Sequence, residues 1–213
     1  MAKERDRFRD RADAGRRLAE MLRAYDRAPE AIVLGLPRGG VPVAAEIAAE
    51  LSIPIDVLIV RKLGVPWYSE VAFGAIASGG IEVLNDSVVR SSGIDAEAIE
   101  RVRREQTEEL HRREDAYRGD RPPLDVTDKT VIVVDDGTAT GATMRAAVEA
   151  LRSAEPRKIV VAVGVSPPDV VRTLRKVADE VVSVLTPRDF MAVGAWYDDF
   201  RQTSDAEVIE LLA

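Results

Sequence analysis

The sequence predicts an α/β protein: one parallel β-sheet with helices packed on both of its faces. Three observations lead there. Short apolar runs alternate with helix-forming runs along most of the chain. The strand-like runs are apolar at every position rather than at alternate ones, which is the pattern of strands buried on both faces. A length of 213 residues, 46% of them hydrophobic and 31% charged, is enough for one domain with a full core. We read 1–213 as a single domain, with a core over about 30–185, an inserted helix over about 95–118 and a tail over about 186–213.

The elements follow in order. Phe8, Ala14, Leu18, Met21, Leu22 and Tyr25 recur at helical spacing among Arg and Asp, so an amphipathic helix opens the chain. A-I-V-L-G-L (31–36) is a buried strand, and P-V-A-A-E-I-A-A-E-L (42–51) is a helix with Pro42 in its first turn. I-D-V-L-I-V-R (55–61) is a second strand. V-A-F-G-A-I-A (71–77) and I-E-V-L-N (81–85), split by S-G-G, make a bent strand or a hairpin. A long charged helix covers 95–118, its sparse apolar positions being Ile99, Val102, Leu110 and Tyr117, and R-G-D-R-P-P-L-D ends it. A strand over 130–135 and a helix over 142–153 come next. K-I-V-V-A-V-G (158–164) and E-V-V-S-V-L (180–185) are strands flanking the helix P-D-V-V-R-T-L-R-K-V-A, and a short acidic helix starts near Ser204.

Bulk properties remove several function classes. The net charge of −7 leaves no broad excess of Lys and Arg for nucleic acid. There is no cysteine, so disulfides and thiolate zinc sites are excluded. His111 is the only histidine, which excludes a histidine-rich metal site, and it sits among surface charges. The N-terminus lacks the apolar core of a signal peptide and no run is long enough to span a membrane, so we expect a cytoplasmic protein without a membrane partner.

The chemistry concentrates in V-I-V-V-D-D-G-T-A-T-G-A-T (131–143). Asp135 and Asp136 end a buried strand, at the sheet edge where α/β proteins bind ligands. Adjacent residues point to opposite faces of a strand, so the two carboxylates diverge unless the strand bends. They suit sugar hydroxyls or the neighbourhood of a hydrated Mg2+. The loop behind them, Gly137, Thr138, Ala139, Thr140, Gly141, Ala142 and Thr143, offers hydroxyls, close backbone approach and a helix N-terminus, all of which suit a phosphate. A plain Asp-Gly hairpin turn is the competing reading, but a helix follows where the second strand would have to be.

This stretch resembles the signature by which type I phosphoribosyltransferases bind 5-phosphoribosyl 1-pyrophosphate (PRPP). The resemblance implies a Rossmann-like parallel sheet with a small hood built from the chain termini, and it covers roughly residues 30–200. It implies that Asp135 and Asp136 hold the ribose hydroxyls, that residues 137–143 hold the 5-phosphate, and that Mg2+ arrives with PRPP near the two acids. L-G-L-P-R-G-G-V-P-V-A (34–44) has the same strand–turn–helix grammar and resembles the family's pyrophosphate loop, with Arg38, Gly39 and Gly40 as ligands. In the family the peptide before the basic residue, here Pro37–Arg38, is often cis. Arg61 and Lys62, read as the end of the second strand, would either neutralise pyrophosphate or contact the base; a solvated strand end is the alternative.

P-R-D-F-M-A-V-G in the tail resembles the base-binding hood of 6-oxopurine enzymes. That points to Phe190 for stacking and Asp198 for closure, with Trp196 and Tyr197 as further candidates; ordinary tail packing is the alternative. Ala139 stands where those enzymes place an Asp in the loop, so the acceptor base stays open. The N-terminal F-R-D-R-A-D-A-G-R-R-L-A and the W-Y-D-D-F of the tail resemble a bacterial group of phosphoribosyltransferases with undefined substrates. The expected function is Mg-dependent phosphoribosyl transfer to a nucleobase or similar nitrogen nucleophile. A non-catalytic PRPP sensor is the alternative, and homo-oligomerisation is implied by resemblance.

Overall fold

The computed structural model describes residues 7–213, apart from the side chains of Ser69 and Glu70; the first six residues of the charged N-terminal run lie outside the description. Five parallel strands form the main sheet: β1 (Ala31–Gly35), β2 (Ile55–Val57), β6 (Thr130–Gly137), β7 (Lys158–Val165) and β8 (Glu180–Leu185), in the order β2-β1-β6-β7-β8. One face carries α1 (Arg11–Met21) and α2 (Gly40–Leu51), and buries Leu18, Ile47, Val33, Ile132 and Val134. The other carries α5 (Ala142–Arg152) and α6 (Pro168–Leu174), and buries Met144, Leu151, Val131, Val133 and Val163. Successive residues of β6 thus enter opposite cores, which explains why its apolar run is continuous.

The connectivity fixes where a ligand can sit. From β1 the chain moves outward to β2, whereas from β6 it moves the other way to β7 and β8. β1 and β6 are hydrogen-bonded neighbours, with Leu34 opposite Val133. Their carboxyl ends therefore flank the point where strand order reverses, the crevice in which open α/β sheets bind ligands.

One strand assignment needs correction. The apolar run 55–61 is two strands in two sheets, not one. β2 ends at Val57; the chain then turns at the buried Leu58 and Ile59 into β3 (Val60–Val65). β3 pairs antiparallel with β4 (Tyr68–Ala77), which pairs with β5 (Ile81–Leu84), so the 71–85 hairpin belongs to a three-stranded sheet. The Ser78 hydroxyl accepts the Ile59 N–H at 3.0 Å and helps hold this corner. Arg61 and Lys62 accordingly begin β3 rather than end β2.

A short helix α3 (Asp86–Ser92) leads to α4 (Ala96–Arg118), the inserted charged helix. It is not merely a solvated rod. Leu110 and Tyr117 bury themselves with Leu63, Phe73, Val208 and Leu212. At its last residue Arg118 reaches Asp56 of β2 through contacts of 3.0–3.3 Å and donates to the Pro122 carbonyl at 2.7 Å. The final helix α7 (Asp205–Leu212) starts with a capping box between Ser204 and Glu207. Among the described residues no helix is long and apolar enough to cross a membrane.

The termini close one edge of the molecule. Phe8 precedes α1 rather than lying on it, and is fully buried against Tyr197, with ring centroids 4.9 Å apart. The Phe8 N–H donates to the Trp196 carbonyl, and the Asp198 N–H donates to the Phe8 carbonyl, each at 2.8 Å. Met21, expected on the buried stripe of α1, is 53% exposed, because the burying face runs through Ala14, Leu18 and Leu22.

Candidate active site

Two loops leave the carboxyl ends of β1 and β6, and glycine is what lets the first lie against the end of β6. A Cβ on Gly39 would lie 2.1 Å from Oδ2 of Asp136, and one on Gly40 would lie 2.4 Å from the Val134 carbonyl oxygen. The segment 36–40 therefore lies flat on the end of β6. The Leu36 N–H donates to the Val134 carbonyl at 2.9 Å, and the Gly40 N–H closes the turn onto the Leu36 carbonyl at 2.9 Å. The Pro37–Arg38 peptide is cis.

The second loop is built around Thr138. Its N–H donates to the Val165 carbonyl at 3.0 Å, and its Oγ1 accepts the Gly141 N–H at 3.0 Å. Gly141 caps α5 with φ of 73°, a conformation that favours glycine. Thr140 Oγ1 accepts the Ala142 N–H at 3.3 Å. Thr138 is thereby buried as a brace, while Ala139, Thr140 and Thr143 are exposed on the rim at the positive end of α5.

The two acids have different surroundings, as strand parity requires. Asp135 lies on the α5 side, half-buried, and its Oδ1 accepts the Asp136 N–H at 2.9 Å. Asp136 lies on the α1 and α2 side, is 7% exposed, and pairs with Arg11 through Nε at 2.8 Å. Burial pushes both carboxyls above the ordinary carboxylate range; the Asp136 charge adds to this at Asp135, whereas the Arg11 guanidinium opposes it at Asp136. The Tyr197 hydroxyl donates to the Asp136 carbonyl at 2.5 Å, and burial raises the pKa of that phenol.

The other expected site residues fall into three places. Arg38 is half-exposed above the loop, with Nη1 3.7 Å from Oδ1 of Asp205; the Tyr117 hydroxyl donates to the same oxygen at 2.6 Å. Arg61 donates to Gln106 of α4 at 2.9 Å, and so ties β3 to the inserted helix. Lys62 is exposed beside a cavity of about 560 Å³ between the antiparallel sheet and α5, which Arg145 and Asn85 also line. Phe190 and Trp196 are half-buried against Phe8, Val165 and Tyr197. Asp198 is exposed, and its N–H is engaged by Phe8. Val193 sits directly over Gly137, where a Cβ would come within 2.6 Å of its Cγ1.

A model of the phosphoribosyl transferase domain matches residues 4–198. The chain belongs to this family. The match spans both loops and the inserted helix and ends at Asp198, before α7. The Mycobacterium tuberculosis protein named "Putative phosphoribosyl transferase Rv0571c" is 50% identical over 205 residues, covering 96% of this chain and 46% of that protein. The chain thus spans about half the length of the curated relatives it matches. The crystal structure of TT1426 from Thermus thermophilus superposes with a TM-score of 0.87 at 44% identity, covering 97% of each chain. The five-stranded parallel sheet flanked by helices is the fold of the family.

Sequence reasoning missed Arg11, Asp205 and the anchoring role of Tyr197. Arg11 is one of a run of arginines alternating with acids, and nothing local marks it out. Asp205 reads as an ordinary acid in the first turn of a helix. Only the fold brings residues 11, 38, 136, 197 and 205 to one place.

Proposed function

We propose that the protein transfers the 5-phosphoribosyl group of PRPP to a small nitrogen nucleophile and releases pyrophosphate. The observation that carries this reading is the pair of loops flanking the β1/β6 switch point, the first seated by Gly39 and Gly40 on the end of the strand from which the second leaves. A ligand with one phosphate, a diol and a second anionic group would span them. In the loop 137–143 the exposed rim, Ala139, Thr140 and Thr143, takes the 5-phosphate at the α5 N-terminus. Asp135 accepts ribose hydroxyls, and Asp136, with its oxygens partly committed to Arg11, frames the same hydroxyls from the other side. Arg38 and the Gly39 amide take the pyrophosphate, while the Gly40 N–H, engaged by the Leu36 carbonyl, holds the loop in shape.

In the reaction the bond from C1 to the pyrophosphate oxygen breaks and a bond from C1 to the acceptor nitrogen forms. Positive charge builds on the sugar and negative charge on the leaving group. The chain acts by fixing the ribose and stabilising the departing anion through Arg38 and backbone donors. Mg2+ would arrive with PRPP, near Asp135 and Asp136, rather than in a site made by the chain alone. The two acids diverge, and among the described residues no group of three His, Cys, Asp or Glu side chains could hold a metal alone. When bound, such an ion would add charge neutralisation on the leaving group.

The acceptor remains a class, a nucleobase or similar amine, because Ala139 leaves the loop without a proton-handling side chain. The alternative on the same fold is a protein that senses PRPP without turnover. One assay separates them. Protein, Mg2+ and PRPP are incubated with a panel of bases, following pyrophosphate release and product mass. Turnover with one base establishes the transferase. Binding of Mg-PRPP without turnover on any base establishes the sensor, and no binding at all refutes both.

A further inference from the structure

We infer that Arg11 is a positioning residue with two separable tasks: it orients the Asp136 carboxylate and it fastens the tail of the chain over the site. The ligand half of this inference rests on the PRPP reading; the fastening half does not. Arg11 and Asp136 side chains are only 12% and 11% exposed, and their Nε–Oδ2 distance is 2.8 Å. The same guanidinium donates through Nη1 to the Arg201 carbonyl at 2.7 Å and lies 4.2 Å over the ring of Phe200. Phe200 in turn stacks on Tyr197 at 5.0 Å, and Tyr197 binds the Asp136 carbonyl. Both chain ends therefore converge on one residue, through its side chain and its backbone.

Among the described residues Arg11 is the one cation paired with Asp136. A buried carboxylate that loses its partner is left with an uncompensated charge. Gly39, on its other side, leaves no space for the carboxylate to swing toward the pyrophosphate loop. The direction in which Asp136 points is accordingly set by Arg11. The planar fork is what allows one side chain to bind a carboxylate, donate to a carbonyl and cover an aromatic ring together. A lysine ammonium could keep the first of these tasks but not all three.

That difference makes the two tasks testable. The chain has two tryptophans, so W67F leaves Trp196 as the sole indole, and its ring nitrogen is buried where the tail packs in one cluster with Phe8 and Tyr197. In the W67F background, acrylamide quenching of Trp196 reads tail attachment and calorimetry with Mg-PRPP reads the carboxylate. We expect R11M to raise the quenching constant at least twofold and to weaken Mg-PRPP at least tenfold. R11K should raise quenching similarly yet keep the PRPP dissociation constant within threefold. F200A, which removes the stacking surface without touching Asp136, should raise quenching and leave PRPP binding intact; it also serves if the Arg11 variants do not fold by circular dichroism. Unchanged quenching in R11M and F200A overturns the fastening task. R11K losing as much PRPP affinity as R11M overturns the orienting task. If the parent protein itself fails to bind Mg-PRPP, the proposed function falls, and the quenching series still decides whether Arg11 holds the tail.

Discussion

Replacing Gly39 with alanine isolates one contact, because the backbone there does not need glycine. Gly39 has φ −63° and ψ −30°, ordinary helical values that any residue adopts. On backbone grounds alone G39A would stabilise the fold by about 0.4–1 kcal/mol through the unfolded chain. The new methyl group, however, would sit 2.1 Å from Oδ2 and 2.7 Å from Cγ of Asp136. The carboxylate cannot retreat freely, since Arg11 holds it at 2.8 Å. Overpacking of this kind costs about 1–3 kcal/mol. The net expectation is a loss of roughly 0–2.6 kcal/mol, or a fall in Tm of up to roughly 10 °C for a chain of this size. Urea denaturation measures it. In G39A/D136A the obstructing carboxylate is gone, so the alanine at position 39 should cost far less than in the parent, a coupling that a double-mutant cycle reads directly. Calorimetry should also show Mg-PRPP weakened in G39A, because the loop lifts from the end of β6. If G39A is as stable as the parent and binds PRPP equally well, the close seating of the loop on Asp136 is wrong.

Other perturbations test other parts of the structure. D135N should bind Mg-PRPP poorly by calorimetry yet unfold in urea at least as late as the parent, because it removes a carboxylate raised by burial and by its neighbour's charge; D136N should lose stability as well, since it strands Arg11. R118M should cost about 3–5 kcal/mol in urea unfolding, because it leaves Asp56 buried without its closest partner, and should speed hydrogen exchange at the end of α4. Burial and the Asp205 hydrogen bond push the Tyr117 phenol up to about 12 from an ordinary value of 10. The proton is thus held more tightly in the folded chain, so this contribution is complete below pH 10 and lost as pH rises from about 10 to about 12. Y117F should flatten the Tm-against-pH curve in that window.

Much of this was legible in the sequence because period and punctuation are local. The β6 run, its two acids and the Gly/Thr loop state a strand end, a glycine-rich turn and a helix start within thirteen residues, and the structure has all three there. Gly39 and Gly40 were visible as a second such turn. Asp135 and Asp136 were expected to diverge from strand parity alone, and they do. The split of 55–61 was not legible, since an apolar run shows that a segment is buried but not which strands it pairs with. Phe8 fits a helical spacing by chance, and its actual partner, Tyr197, lies at the other end of the chain. Arg11 and Asp205 were invisible for the same reason: their roles exist only across long separations, where no periodicity reaches.

The site holds two arginines in contrasting states. Arg11 is locked, buried against a carboxylate, a carbonyl and a ring. Arg38 is merely parked. At 3.7 Å from an Asp205 carboxylate that is 63% exposed, it is beyond hydrogen-bond reach and held by a screened attraction. Releasing a pair of that kind costs about 0–1 kcal/mol. An arriving anion would therefore meet a charge it can recruit at Arg38 and a fixed arrangement at Asp136. Adaptation to the ligand is confined to one half of the crevice. Tyr117 donates to the same Asp205 oxygen that Arg38 would leave, so that release is linked by one shared atom to the inserted helix.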